Sequence, residues 1–307
     1  MTSASAGASG LGLRVDVDTH DGMRLGVPRL LDLFATAGVK ATFYWALGPD
    51  RSGLAVLNVF RPGFLRKMTR TGAARIYGWR TILSGTLLPA RPVASAFPAV
   101  AKRAASEGHE TGVHAWDHRA WQDRLLKWPG SKVAAELDRA RDAYLSLHGV
   151  PPRTFAAPAW LTCDSALLHQ ESYDLEFASD CRGVEPFLPR VEGKALETPQ
   201  VPSTLPTLDE ALGGSHAHAS DYFDEQARMA MKQEWPVFTL HAELEGGPYA
   251  EHFLAFLASC AERGLAGEPL GQLLARRLSR GARLPVCQIG YRGVPGRHGV
   301  LAHQMQR

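Results

Sequence analysis

Three short β-prone runs in this chain each lead to a side chain able to hold a proton or a metal ion, and this pattern restricts the fold more than any other feature. Leu11 to Val17 carries Asp16 and runs into Asp18, Thr111 to Val113 runs into His114, and Pro236 to Leu240 runs into His241. In α/β folds the C-terminal ends of parallel strands gather the active-site groups. Between these runs the apolar period switches to that of helices. Val27, Leu30, Leu31 and Phe34 keep a helical spacing that Gly38 stops, and Lys40 to Leu47 reads as a second strand. Ser131 can cap a helix running to about His148, closed by Gly149, and Leu270, Leu273, Leu274 and Leu278 mark a last helix. Tyr173 to Ala178 and Val237 to Leu244 read as later strands. Alternating strand and helix units predict an α/β fold, a distorted or partial (β/α) barrel of about seven largely parallel strands. The glycine- and arginine-rich tail after Leu284 is expected to wrap the domain irregularly.

The spacing within the runs suggests a chemistry. Alternate side chains on a strand share a face, so Asp16 and Asp18 can point into one site. His114 and His118 are four apart, a spacing that on a helical turn puts both imidazoles on one side. Two histidines and one carboxylate around a divalent ion leave coordination positions open, as a catalytic metal site requires. The second carboxylate is then free to accept a proton. His241 reads equally well as a proton donor or as a core histidine tethering a strand end.

Asp16-x-Asp18, His114-x-x-x-His118 and the strand end Thr239-Leu240-His241 resemble the motifs of the polysaccharide deacetylase family, carbohydrate esterases built on a nodulation-protein-B-like domain. The blocks Leu13 to Thr19, Tyr77-Gly78-Trp79, Val113 to His118, Ser179 to Gly183 and Thr239 to Glu243 are more similar to one branch, metal-dependent deformylases of a formamido-arabinose carried on undecaprenyl phosphate, which act in lipid A modification. The resemblance covers the chain from about residue 11 onward. It implies Asp16 as general base, His241 as general acid, and Asp18, His114 and His118 as ligands of one divalent metal ion. Zinc, manganese, cobalt and iron all suit such ligands. Arg182, Trp160 and Tyr77 are the candidate substrate-binding residues. One family feature is missing: an arginine before the proline of the third motif orients the base in many members, but here the run is Phe155-Ala156-Ala157-Pro158-Ala159-Trp160. Arg182, in Asp180-Cys181-Arg182-Gly183, is the expected substitute. Ala115 likewise replaces a family serine or threonine.

The 307 residues, 45% hydrophobic and 21% charged, suit one soluble catalytic domain over residues 11–307 behind a flexible stretch of residues 1–10. Cys163, Cys181, Cys260 and Cys287 form no C-x-x-C pair and read as structural thiols in a reducing compartment. Neither a signal-like start nor a membrane-length apolar run is found, so a cytoplasmic location is expected. From Arg51 to Ser106 the chain has ten Lys and Arg and no Asp or Glu; removing these ten from the net charge of +3 leaves −7 for everything else. Phe60, Phe64, Leu65, Ile76, Tyr77 and Trp79 lie among those charges. The combination predicts an insertion, residues 51–106, that docks on the anionic inner face of the bacterial inner membrane. Nucleic acid is not an expected partner, because no nucleic-acid-binding motif accompanies the charge. A polysaccharide or peptidoglycan N-deacetylase, and a catalytically silent lipid-sugar binding module, are the alternatives to a deformylase.

Overall fold

Leu11–Val17 is buried along its whole length, and a strand covered on both faces belongs in the middle of a sheet. In the computed structural model, which describes residues 10–54, 81, 83–211, 216, 218–281, 283–294, 297 and 299–305, this strand is β1. After it come α1 (Val27–Ala37), β2 (Thr42–Ala46), α2 (Pro98–Ser106), β3 (Glu110–Ala115), α3 (His118–Arg124), α4 (Gly130–His148), β4 (Thr154–Phe155), α5 (Asp164–Gln170) and β5 (Phe177–Ala178). The chain continues through β6 (Leu188–Val191), β7 (Lys194–Ala195), α6 (Leu208–Ala211), α7 (Ala219–Ala230), β8 (Val237–His241), α8 (Ala250–Glu262) and β9 (Gly267–Glu268). It ends with α9 (Leu270–Ser279), β10 (Val286–Cys287), β11 (Ile289–Arg292) and β12 (Leu301–Gln304).

The main sheet has seven strands in the order β5-β4-β3-β2-β1-β8, with β9 also on β1. All of its pairings are parallel. The expected partial barrel of about seven parallel strands is what forms. Leu11, Leu13, Val15 and Val17 pack in one core with Val27, Leu30, Leu31 and Phe34 of α1, so the opposite face of β1, carrying Gly12, Arg14 and Asp16, lines the barrel interior. A helix rather than more strands fills the lower end of that interior. A Cβ on Gly12 would sit 2.9 Å from Leu273 and 3.0 Å from Leu270 of α9, an approach only glycine permits. Thr42 Oγ1 and Glu110 Oε2 accept the backbone N–H groups of Leu270 and Gly271, at 2.8 and 3.2 Å, and so cap this helix from β2 and β3.

Several boundaries differ from the sequence expectation. The strand expected over Tyr173–Ala178 is confined to Phe177–Ala178, because Tyr173 N–H bonds to Gln170 O and Leu175 N–H to Tyr173 O in a turn. The strand expected to reach Leu244 stops at His241, whose carbonyl receives the N–H groups of Leu244 and Glu245. Helix α4 starts at Gly130 behind Pro129, ahead of Ser131. The tail is more regular than expected, since β10 adds to β6 and β11–β12 is an antiparallel hairpin.

Within the basic segment, Tyr77 and six of the ten cations lie outside the described residues. Three of the remaining cations have acidic partners elsewhere in the chain: Arg51 with Asp117 at 2.6 Å, Arg91 with Asp21 at 3.7 Å, and Arg103 with Asp32 at 2.6 Å and Glu107 at 2.5 Å. The segment's positive charge is therefore partly compensated in space. Among the described residues no helix is long and apolar enough to cross a membrane, and all four cysteines are free.

Candidate active site

The strand ends do bring their polar residues together. Asp16 and Asp18 leave the top of β1, and His241 pairs beside Asp16 at the end of β8. His114 comes from β3 at an irregular step: Trp45 pairs with Val113 but Ala46 with Ala115, so His114 is unopposed in the ladder, the kind of bulge that re-aims a side chain. His118 opens α3, where the Asp117 carboxylate accepts the Ala120 N–H at 2.9 Å as N-cap. The four-residue spacing of the histidines therefore spans a strand end, a cap and the first turn of a helix, and corrects the expectation of a single helical face.

Asp18, His114 and His118 form a three-ligand cluster whose donor atoms lie within 4.8 Å of one another. Asp18 Oδ1 is 3.2 Å from His114 Nε2, and Asp18 Oδ2 is 3.3 Å from His118 Nε2. His114 Nδ1 lies 2.7 Å from the Ala156 carbonyl, which can only accept. In the neutral ring the proton is therefore on Nδ1 and a lone pair on Nε2 faces Asp18. Two buried acceptor atoms without hydrogen-bond partners, Asp18 Oδ1 and His114 Nε2, point at each other, an arrangement that calls for a cation. Burial disfavours a charged His118 and, with His114 and His241 nearby, lowers its pKa despite Asp18. Although burial opposes ionisation of Asp18, the His118, His114 and His241 rings outweigh it and hold the carboxyl far below the usual carboxylate range. The donor set fits one divalent ion.

Asp16 lies just outside this cluster, 3.7 Å from His114 Nε2. Arg14, two residues earlier on the same face of β1, donates to it through Nε (2.7 Å) and Nη2 (2.8 Å) in a bidentate fork. The Arg14 side chain is fully buried, over the rings of Tyr44 and Trp160, and reaches the carbonyls of Ser179 and Ala157. Burial opposes ionisation of Asp16, but Arg14, with His114 assisting, lowers its pKa. Asp16 is thus an ionised carboxylate with fixed orientation.

At the end of β8, His241 Nδ1 faces Asp209 Oδ1 across 3.9 Å. Burial works against its charging, yet Asp209, Asp18, Asp16 and Glu243 raise it to about 9. Glu245 accepts the His241 backbone N–H at 2.9 Å, and burial pushes Glu243 up to about 8 and Glu245 to about 7. A folded-state value above the ordinary 6.5 means that protonated His241 stabilises the metal-free protein fully below about pH 6.5, and that this contribution is lost as pH rises through about 9. An NMR titration of metal-free protein should therefore show the His241 ring deprotonating near 9; a midpoint at or below 6.5 would contradict this electrostatic picture.

Residues 18–178 match the sequence profile of polysaccharide deacetylases, just over half of the chain. The chain belongs to the polysaccharide deacetylase family. It is 35% identical, over 96% of its own length and 94% of the relative's, to the probable 4-deoxy-4-formamido-L-arabinose-phosphoundecaprenol deformylase ArnD of Shewanella sediminis. To the protein of the same name from Wigglesworthia glossinidia brevipalpis it is 30% identical, over 93% and 99%. Among solved structures, a putative polysaccharide deacetylase from Mycobacterium smegmatis superposes with a TM-score of 0.63 at 16% identity, covering 92% of this chain and 95% of that one. The peptidoglycan deacetylase PdaC of Bacillus subtilis gives 0.53 at 13%, covering 90% and 94%. At such identities the structures support the fold alone.

The third motif carries no arginine, and the guanidinium that orients Asp16 here is that of Arg14. Its guanidinium donates to the carbonyl of Ala157, the residue before Pro158. Arg182, the substitute expected from the sequence, is instead 4.6 Å over the Trp160 ring with Nη2 3.4 Å from Glu210. Ala159 and Trp160, which follow Pro158, both adopt left-handed φ, 53° and 48°, at about 1–3 kcal/mol each. Trp160, 1% exposed, donates its indole N–H to Ser203 Oγ at 2.7 Å and carries Arg14, Arg182 and Arg297 on its ring. Asp209, Glu210 and Arg297 were not singled out from the sequence. Thr207-Leu208-Asp209-Glu210 carries a usable signal, since it has the T-x-x-E pattern of a capping box, and Glu210 Oε2 does accept the Thr207 N–H at 3.0 Å.

Proposed function

We propose that this protein hydrolyses the formamide of a 4-deoxy-4-formamido-arabinose carried on undecaprenyl phosphate, releasing formate and the 4-amino sugar, within lipid A modification and polymyxin resistance. The observation that carries the reading is the pairing of a three-ligand cluster with an ionised carboxylate, Asp16, held beside it by Arg14. The names of the two relatives that span nearly the whole chain support the choice of substrate.

Asp18, His114 and His118 would hold the divalent ion, zinc, manganese or cobalt, which supplies Lewis acidity toward the formamide carbonyl and the attacking water. Asp16 takes the proton from that water, and Arg14 keeps its carboxylate aimed and ionised. His241, at the end of β8, delivers a proton to the departing amine nitrogen; Asp209 and its other acidic neighbours keep the ring charged for this step. Arg182 offers the sugar phosphate one buried guanidinium nitrogen, Nη1, that has no hydrogen-bond partner. Trp160 contributes as the slab beneath the arginines. Tyr77 is retained as a substrate contact from the family resemblance alone. Incubating purified, metal-loaded protein with the formamido-arabinose lipid and its acetamido analogue tests the reading: formate release without comparable acetate release is expected. Preferential acetate release would make the protein a deacetylase, and release of neither, with the lipid bound, would make it a binding module.

The same proposal places the enzyme on the inner face of the inner membrane through the segment of residues 51–106. Arg61, Arg66, Lys67, Arg70, Arg75 and Arg80 supply the cations, each worth about 1 kcal/mol near an anionic surface, and Leu87 in the same segment is 81% exposed. Charge reversal of Arg66, Lys67 and Arg70 to glutamate should release the protein from anionic vesicles in a salt-sensitive manner. Co-sedimentation at the wild-type level would remove this patch as the anchor.

A further inference from the structure

The acid side of the site depends on a residue that arrives late in the chain. Asp209, the carboxylate facing His241 Nδ1, stands on α6, a helix of four residues, too short to be held by its own hydrogen bonds. Two groups hold it in place. Thr207 Oγ1 donates to Asp209 Oδ1 at 2.6 Å. Arg297, from the tail beyond β11, places Nη2 3.2 Å from Asp209 Oδ2 and 3.4 Å from Oδ1, and Nε 2.5 Å from Glu210 Oε1. The same guanidinium lies 4.6 Å over the Trp160 ring and also reaches Thr207 Oγ1 at 3.4 Å. Only 14% of the Arg297 side chain is exposed, and the planar fork bridging two carboxylates over an aromatic face has little freedom to rotate.

We propose that Arg297 is a positioning residue for the acid half of the reaction: by clamping Asp209 and Glu210 against Trp160 it fixes the carboxylate that faces Nδ1, and so the direction in which His241 presents its other ring nitrogen to the leaving amine. The inference rests on the deformylase reading for its kinetic consequence but not for its geometry. At 3.9 Å, with no hydrogen bond on Nδ1 among the described residues, the Asp209 carboxylate orients the ring as an ion pair, and the fork that aims the carboxylate acts one step further back. Without Arg297 the nearly buried Glu210 would keep Arg182 beside it, while Asp209, already 31% exposed, would be free to turn toward water.

The test uses full-length, metal-loaded protein and the lipid-linked formamido sugar. Arg297→Ala should lower kcat by roughly 10- to 100-fold, the usual range for a partner of a ligating or catalytic group, with KM and metal content little changed. Added guanidinium should restore part of the loss, and Arg297→Lys, which keeps the charge without the fork, should fall between the two. In a double-mutant cycle the loss should be far less than additive with that of Asp209→Asn, because both variants break one relay. Independently of any substrate, the 15N resonances of the His241 ring should shift in Arg297→Ala as they do in Asp209→Asn. Unchanged His241 resonances would overturn the proposal, as would full additivity with Asp209→Asn or a rise in KM at constant kcat. If the wild type releases no formate, the functional reading fails, while the resonance comparison still decides the role of Arg297.

Discussion

Asp18→Ala, His114→Ala and His118→Ala are each expected to lose bound metal and formate release together. Three side-chain donors leave no redundancy, and each truncation replaces a ligand with water. Folding should survive in the His118 and Asp18 variants, because these side chains sit at the rim of the site, 20% and 14% exposed. Removing the fully enclosed His114 ring, 1% exposed, also breaks its bond to Ala156 O, so some loss of stability should accompany the loss of metal. Metal analysis of the three purified variants, read beside activity, checks the assignment. Near wild-type metal content in any one of them would remove that residue from the ligand set.

The second large effect concerns Arg14. Replacing it with methionine would leave Asp16, 2% exposed, as an uncompensated buried carboxylate, a change that typically costs about 3–5 kcal/mol. Arg14→Met should therefore unfold at markedly lower denaturant concentration, and what folds should carry a misaligned Asp16 with a raised pKa and much reduced activity. Arg14→Lys keeps the charge but not the bidentate fork; it should fold better than Arg14→Met and still lose at least about tenfold in kcat, since a positioned proton-transfer group contributes roughly 10²–10⁴-fold. Wild-type stability in Arg14→Met would mean that Asp16 is held ionised by something other than this guanidinium.

The candidate ligands and the proposed base and acid are legible in the sequence because strand alternation and strand-end placement are local rules. Asp16, Asp18, His114 and His241 follow β-prone runs, and the fold puts the ends of those runs together. The same alternation places Arg14 on the face of Asp16, although the family pattern directs attention to Arg182. A motif fixes its arginine by position near the third-motif proline, whereas a guanidinium at the end of a long side chain can orient the same carboxylate from β1 itself. Two particulars had no local signature. The bulge at His114 depends on the pairing of β2 with β3, and the contact of Arg297 with Asp209 joins residues 88 apart, through a tail whose composition suggested only irregular wrapping. Asp209 was within reach, because its capping box marks a helix start, but its meeting with His241 is a tertiary fact.

The most direct measurement is formate release from the undecaprenyl-phosphate-linked formamido sugar by chelator-treated protein, before and after one equivalent of a divalent metal is restored. Release that is absent in the stripped protein, returns with a single ion per chain, and fails to return in Asp18→Ala or Asp16→Asn is the expected result. Undiminished release from fully stripped protein, or restoration in the Asp16→Asn variant, would contradict metal-assisted hydrolysis with Asp16 as the base.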